Sequence, residues 1–181
     1  LSIRIDAHNP DWRDILDQLP CFPQLTHLEF GPEIKSNAFI EELLQSTLIP
    51  NLKHLRMSNV RVSQPCWLHL HTLHSLHLSC PGSLSRYSFT HFTALTSLRL
   101  QAIESYASFN RITPHLSHLP QLTELHVIWF QYHHDDERLL LDPILKLTQL
   151  RKLTWETQMD TWGEMLNGLP HLETLFLSFR H

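Results

Sequence analysis

The sequence predicts an α/β solenoid: a curved horseshoe with a parallel β-sheet on its concave side and short helices on its convex side. Three observations lead to this prediction. The 181-residue chain repeats the pattern Leu-x-x-Leu-x-Leu, the copies follow one another at intervals of 21 to 28 residues, and the longer intervals carry helix-start signals. About eight such units, stacked in chain order, would build the molecule.

The repeated pattern accounts for both the sheet and its core. With other apolar residues allowed at the leucine positions, it is complete at LTHLEF (25–30), LKHLRM (52–57), LHSLHL (73–78), LTSLRL (95–100), LTELHV (122–127), LRKLTW (150–155) and LETLFL (172–177). The opening IRI (3–5) matches the second half of one more copy. Because side chains alternate across a strand, the second and third leucines of each copy should face inward and the residues beside them outward. Stacked copies then bury the apolar edge that one copy alone would expose.

On these motifs the chain resembles the leucine-rich-repeat proteins over essentially its whole length. The resemblance implies protein binding through the concave face. The chain departs from the family three positions after the last motif leucine, where the family usually has Asn or Cys. Its residues there are Glu33, Val60, Pro81, Ile103, Phe130, Gln158 and Arg180, so no inward Asn ladder is expected. The uneven repeat length is similar to that of F-box-type substrate adaptors and of some microbial effectors.

Helices are predicted in the longer intervals, and only a turn or 3₁₀ segment in the shorter ones. The segment 36–45 carries four apolar residues on one helical face. Pro143 should break or kink the helix that contains it, because proline lacks the N–H donor and clashes with the preceding turn. The predicted helices span 9–19, 36–45, 113–119, 135–147 and 160–168, and the short connections span 63–72 and 83–94.

Composition excludes several classes of function. Hydrophobic residues make up 42% and charged residues 18%, as in a folded soluble domain, and the net charge of −4 leaves no broad basic surface for nucleic acid or acidic lipid. No apolar stretch approaches the ~20 residues of a membrane-spanning helix. Four scattered glycines exclude a Gly-rich phosphate loop, and three widely spaced cysteines favour a reducing compartment. We expect one cytoplasmic domain over 1–181, without a cofactor, forming part of a longer chain whose end repeats are covered by further segments or by a partner.

The histidines raise an alternative, a metal-dependent enzyme or an enzyme regulator. The segment CWLHLHTLHSLHLSC (66–80) holds four histidines between two cysteines. A structural zinc site needs four convergent ligands, whereas side chains along an extended strand diverge. Cys66 with His69 lacks an oxyanion-hole glycine and a third partner, and YHHDD (132–136) is explained by a helix N-cap. We therefore expect no catalytic and no metal site.

The fifth motif position supplies the candidate binding surface. Adjacent parallel strands lie ~4.8 Å apart, so these residues should form one column across the concave face. The column runs Arg4, Glu29, Arg56, His77, Arg99, His126, Thr154 and Phe176. Its middle alternates arginine and histidine, which suits an acidic epitope, and apolar residues face outward at its C-terminal end. The candidate partner-binding residues are Arg56, His77, Arg99, His126, Ile128, Lys152 and Phe176.

The sequence therefore predicts a non-enzymatic scaffold that binds another protein. The family resemblance implies, more narrowly, the substrate-recognition part of an F-box-type ubiquitin ligase adaptor, with a microbial effector that binds a host protein as the rival. Ile128 and Phe176 have a second interpretation, in which a loop or further repeats cover them. If His77 and His126 lie in the interface, affinity should change between about pH 7.5 and 5.5, because unperturbed histidine titrates in that range.

Overall fold

The parallel sheet is present and runs in strict chain order. The computed structural model describes residues 2–5, 20–32, 34, 37–58, 70–79, 89–103, 115–129, 138–156 and 167–178. Within them, eight strands form one open sheet in which every neighbouring pair is parallel. They are β1 (Ser2–Ile5), β2 (His27–Phe30), β3 (His54–Ser58), β4 (Ser75–Ser79), β5 (Ser97–Ile103), β6 (Glu124–Trp129), β7 (Lys152–Glu156) and β8 (Thr174–Ser178). This order is consistent with a leucine-rich-repeat solenoid.

The strand register confirms the predicted alignment of the motif. Leu28 on β2 is the register partner of Leu55 on β3, and the same motif position is paired at every later step as far as Leu175 on β8. One irregularity occurs, between β5 and β6, where the register shifts between Gln101 and Ile103. Residues at equal motif positions therefore form straight rows across the sheet.

The rows of motif leucines form the core. In β2 to β7 the second and third apolar positions are at most 4% exposed, from Leu28 at one end to Trp155 at the other. Burial weakens at the last strand, where Leu175 and Leu177 are only half-buried. The alternation of buried and outward residues is as predicted, because the period of two leaves one face of each strand for the core.

A short turn precedes the strands, and the sequence predictions did not include it. In six repeats the first motif leucine donates its N–H to the carbonyl three residues earlier, as Leu25 does to Phe22 at 3.0 Å. The residue at that earlier position is apolar, and in three of the six repeats proline follows it, at positions 23, 120 and 170. Proline fixes φ at the second position of such a turn. The turn explains why PQLT occurs both at 23–26 and at 120–123.

Backbone hydrogen bonds lock the beginning of each strand to the preceding repeat. The carbonyl of Thr26 accepts N–H groups from both Lys53 and His54 at 2.9 Å, and an equivalent pair recurs at each of the next five steps. Side chains add to this ladder: the hydroxyl groups of Thr96 and Thr123 each donate to a carbonyl of the repeat before, at 3.1 Å. The outward columns are therefore fixed by the backbone rather than by surface contacts.

Helices occur between the strands as the longer and shorter intervals predict. Helix α1 (Asn37–Gln45) confirms the segment predicted over 36–45 and buries its apolar face, Phe39, Ile40, Leu43 and Leu44. The 3₁₀ helix Phe89–His91 agrees with the short connection predicted over 83–94, of which residues 89–94 are described. Of the other short connection, 63–72, only residues 70–72 fall within the described part of the chain. No helix among the described residues combines the length and apolar character that a bilayer crossing requires.

The predicted helix that contains Pro143 is present, and a kink at this proline stays a prediction. Helix α2 (Arg138–Leu145) contains Pro143 and ends two residues after it, so the proline does not break the helix at its own position. Because proline has no N–H, the helix lacks one backbone hydrogen bond. This bond lies near the C-terminal end, where few further hydrogen bonds of the helix follow it. The predicted helix 9–19 lies outside the described residues, and only the last residues of 113–119 and 160–168 fall within them.

Candidate functional site

The predicted column on the outward face is present. Along the fifth motif position, Glu29, Arg56 and His77 are successive register partners, and the series continues without a gap to the last strand. The backbone of Arg4 aligns with Glu29 at the other end. We call the residues Arg56, His77, Arg99 and His126, on the four central strands β3 to β6, the basic column.

Two grooves lined by described residues lie along this face, one on either side of its middle. The first has a volume of about 320 Å³ and spans β2 to β4, with lining residues His27, Leu28, Glu29, His54, Leu55, Arg56, Ser75 and His77. The second, of about 160 Å³, spans β5 to β7 and is lined by Ser97, Leu98, Arg99, Glu124, Leu125, His126, Lys152 and Thr154. Both have motif leucines among their lining residues, together with charged or titratable side chains.

The two arginines of the basic column are exposed. Arg56 is an ion-pair neighbour of Glu29, but its Nε lies 3.7 Å from Oε1, and the two side chains are 50% and 35% exposed. Such an open pair contributes at most about 1 kcal/mol and is easily exchanged for another anion. Arg99 forms no ion pair with any residue that the structure describes. Both guanidinium groups therefore remain able to bind an external carboxylate.

His77 lies between these arginines and is half-buried. Its Nε2 is 3.3 Å from Gln101 Oε1 and 3.1 Å from Ser79 Oγ. Burial, and then the positive charges of Arg56 and Arg99, lower the pKa of His77 to about 4, although the hydrogen bond to Gln101 opposes the shift. In the free protein the ring of His77 is therefore neutral between about pH 7.5 and 5.5. A change of partner affinity over that range stays a prediction, and at His77 it requires a partner that raises this pKa.

The depressed pKa of His77 predicts a loss of stability in acid. The unfolded chain, with a pKa of 6.5, binds more protons than the folded chain, whose value is about 4. The contribution of His77 to the free energy of unfolding is therefore present in full above pH 6.5 and falls as the pH approaches 4. Allowing for solvent screening, we expect this histidine to account for about 1–2 kcal/mol of the loss. Urea unfolding at about pH 7 and about pH 5 should show a smaller loss for His77→Gln than for the parent; parallel losses would contradict the shift.

A stacked pair of histidines lines the first groove, and the sequence predictions did not include it. His27 and His54 are register partners on β2 and β3, and their ring centroids are 4.0 Å apart at an angle of 17°. Burial lowers the pKa of His54, and so do the charges of His27, His74 and Lys53. The signal was available, because both histidines occupy the third position of consecutive motifs.

An exposed aromatic side chain lies at the C-terminal end of the face. Phe176 is 59% exposed and is the register partner of Thr154, which continues the column from His126. Ile128 was expected to face outward as well, and it is half-buried. Lys152 is exposed at the third motif position of its strand.

The residues of the alternative metal and catalytic hypotheses are largely outside the described part of the chain. Cys66, His69, Cys80 and YHHDD (132–136) all lie there. Where the structure does describe the chain, no three side chains among His, Cys, Asp and Glu come together as a metal ion would require. The thiol of Cys21 is exposed and donates to the carbonyl of Thr47 at 3.7 Å.

Comparison with known proteins finds likeness only among solved structures. No family model matches the chain, and no curated protein does. One matching structure is that of an internalin, InlF, from Listeria monocytogenes, at 20% sequence identity and a TM-score of 0.44. The match covers 87% of this chain and 50% of the internalin, so the chain spans about half the length of that protein. The fold follows from the strand order and the buried motif leucines of this chain.

Proposed function

We propose that this protein is a non-enzymatic scaffold that binds another protein through the outward face of its sheet. The observation that carries the proposal is the unbroken column of outward residues, which the backbone ladder holds in fixed register. Solenoids of this kind present extended concave surfaces as binding sites, and a rigid surface loses little conformational entropy on binding.

The proposed contact residues are the seven expected from the sequence. Exposed arginine and aromatic side chains dominate the energetics of protein interfaces, which favours Arg56, Arg99 and Phe176 as the principal contacts. Half-buried His77, His126 and Ile128 would add shape and hydrogen bonding around them, and Lys152 a further charge.

We propose further that the scaffold works inside the cell as the substrate-recognition part of an F-box-type ubiquitin ligase adaptor. Support comes from the resemblance of its uneven repeats to those adaptors and from the exposed thiol of Cys21, which suits a reducing compartment. Capture of ubiquitin-ligase subunits together with the partner would support this role. Capture of a host protein by a microbial chain would favour the effector role instead.

The test is a tagged pull-down from a native-source lysate, analysed by mass spectrometry. A variant with Arg56→Glu, Arg99→Glu and Phe176→Ala should lose the partner that the parent captures, because it reverses two charges and removes the exposed ring. A matched variant, Lys53→Glu with Arg151→Glu, reverses two exposed charges outside the column and should keep the partner. If the column variant folds and still captures the same partner, the outward face is not the binding site.

A further inference from the structure

We propose that the basic column binds an acidic segment of a protein partner, with a carboxylate held between Arg56 and Arg99 over His77, and that His77 takes up a proton as this segment binds. The inference rests on the proposed function, since it names the chemistry of the partner at the same face. It adds a specific position for the anion and a dependence of affinity on pH.

The geometry supports one anion position at the middle of the column. His77 is the register partner of Arg56 on one side and of Arg99 on the other. With strands ~4.8 Å apart, the two arginine backbones are separated by about 10 Å, and both long side chains can lean over the imidazole between them. The side-chain groups within hydrogen-bond distance of the ring, Gln101 and Ser79, are neutral and leave its charge uncompensated.

The charges around His77 favour an external anion. Arg56 on β3, Arg99 on β5 and His126 on β6 each oppose protonation of the ring. Two carboxylates of this face, Glu29 and Glu124, lie to either side: Glu29 pairs openly with Arg56, and Glu124 accepts a hydrogen bond from Ser97 at 3.3 Å. A carboxylate placed between the arginines cancels their repulsion of the imidazolium, so anion binding and proton uptake are linked.

The flanking carboxylates decide which kind of anion fits. A nucleic acid, whose phosphates follow one another at fixed short intervals along a backbone, would bring its next charges over Glu29 and Glu124, which would repel them. An acidic stretch of polypeptide can place one or two carboxylates at the centre and turn its remaining side chains away. Two guanidinium groups on a fixed sheet also match carboxylate oxygens in geometry.

Hexa-aspartate titrated calorimetrically into the 181-residue chain at low ionic strength tests the inference. Aspartate stays ionised at about pH 5, so only the protein changes protonation between about pH 7 and pH 5. We expect affinity to rise several-fold over this interval, with net proton uptake measured from the buffer dependence of the heat. In His77→Gln the rise should shrink while binding at about pH 7 persists.

Charge variants locate the site. Arg56→Gln and Arg99→Gln should each weaken binding about fivefold or more, whereas Arg151→Gln, which removes an exposed charge outside the column, should leave it unchanged. Glu29→Gln should strengthen binding about two- to threefold, because it releases Arg56. An equal loss in the Arg151 variant, no binding by the peptide, or inorganic phosphate binding as tightly as the peptide would each overturn the inference.

The outcome is separable from that of the pull-down. Suppose that the column variant loses the partner but that hexa-aspartate does not displace it from the parent. The proposed scaffold function would then stand, and the proposal that the partner binds through an acidic segment would be wrong. If the column variant retains the partner, the proposed binding function of the outward face is wrong, whatever the result with hexa-aspartate.

Discussion

Trp155→Ala is expected to lower the free energy of unfolding by about 3–5 kcal/mol, the range found when a large buried aromatic side chain is truncated. Trp155 is the third apolar position of the motif on β7, where it is 1% exposed and among the largest fully buried side chains described. The neighbouring strands carry Val127 and Leu177 at the same position. Neither is bulky enough to fill the space that an indole leaves.

Urea unfolding followed by far-ultraviolet circular dichroism measures this loss without depending on tryptophan fluorescence. Phe176→Ala is the matched control, since it removes an aromatic ring from the adjacent strand at a site 59% exposed to solvent. Its effect should stay within about 0.5 kcal/mol, as for most surface substitutions. A loss below about 1 kcal/mol for Trp155→Ala would contradict the burial of this side chain.

The strands and their outward columns could be predicted because one short motif encodes both. The alternation that buries Leu98 and Leu100 also turns Arg99 outward, and the repeat places the next copy alongside it. Helix α1 was predictable for a similar reason, since its buried residues recur at the helical period. Both are local patterns that one tertiary arrangement satisfies.

The electrostatic state of the site could not be predicted in this way. The sequence prediction assumed an unperturbed pKa for His77, whereas this pKa depends on how much of the ring the sheet covers and on the charges of Arg56 and Arg99 on the two neighbouring strands. The open pair between Arg56 and Glu29 likewise depends on side-chain geometry that register alone does not fix. The turn before the strands was accessible in principle, because Phe22 and Leu119 are apolar residues followed by proline at equal distances from the motif.

The second large effect on stability is expected inside the sheet, and it can be compared with the same substitution at the end of the sheet. The two leucines occupy the same motif position, Leu125 on β6 and Leu175 on β8. Leu125→Ala should cost about 2.5–5 kcal/mol, because Leu125 is 1% exposed and lies between strands on both sides. Leu175→Ala should cost only about 1 kcal/mol, because Leu175 is half-buried on β8, which pairs with a single neighbour among the described strands.

The comparison isolates burial, since residue type, motif position and strand direction are the same. Unfolding in urea at several protein concentrations would measure both variants and the parent. In a stack of repeats each unit is stabilised by its neighbours, so an interior truncation weakens interfaces on two sides and a terminal one on a single side. If the two losses proved equal, Leu175 would be covered in solution. A loss that grew with protein concentration would then identify a second copy of the chain as the cover.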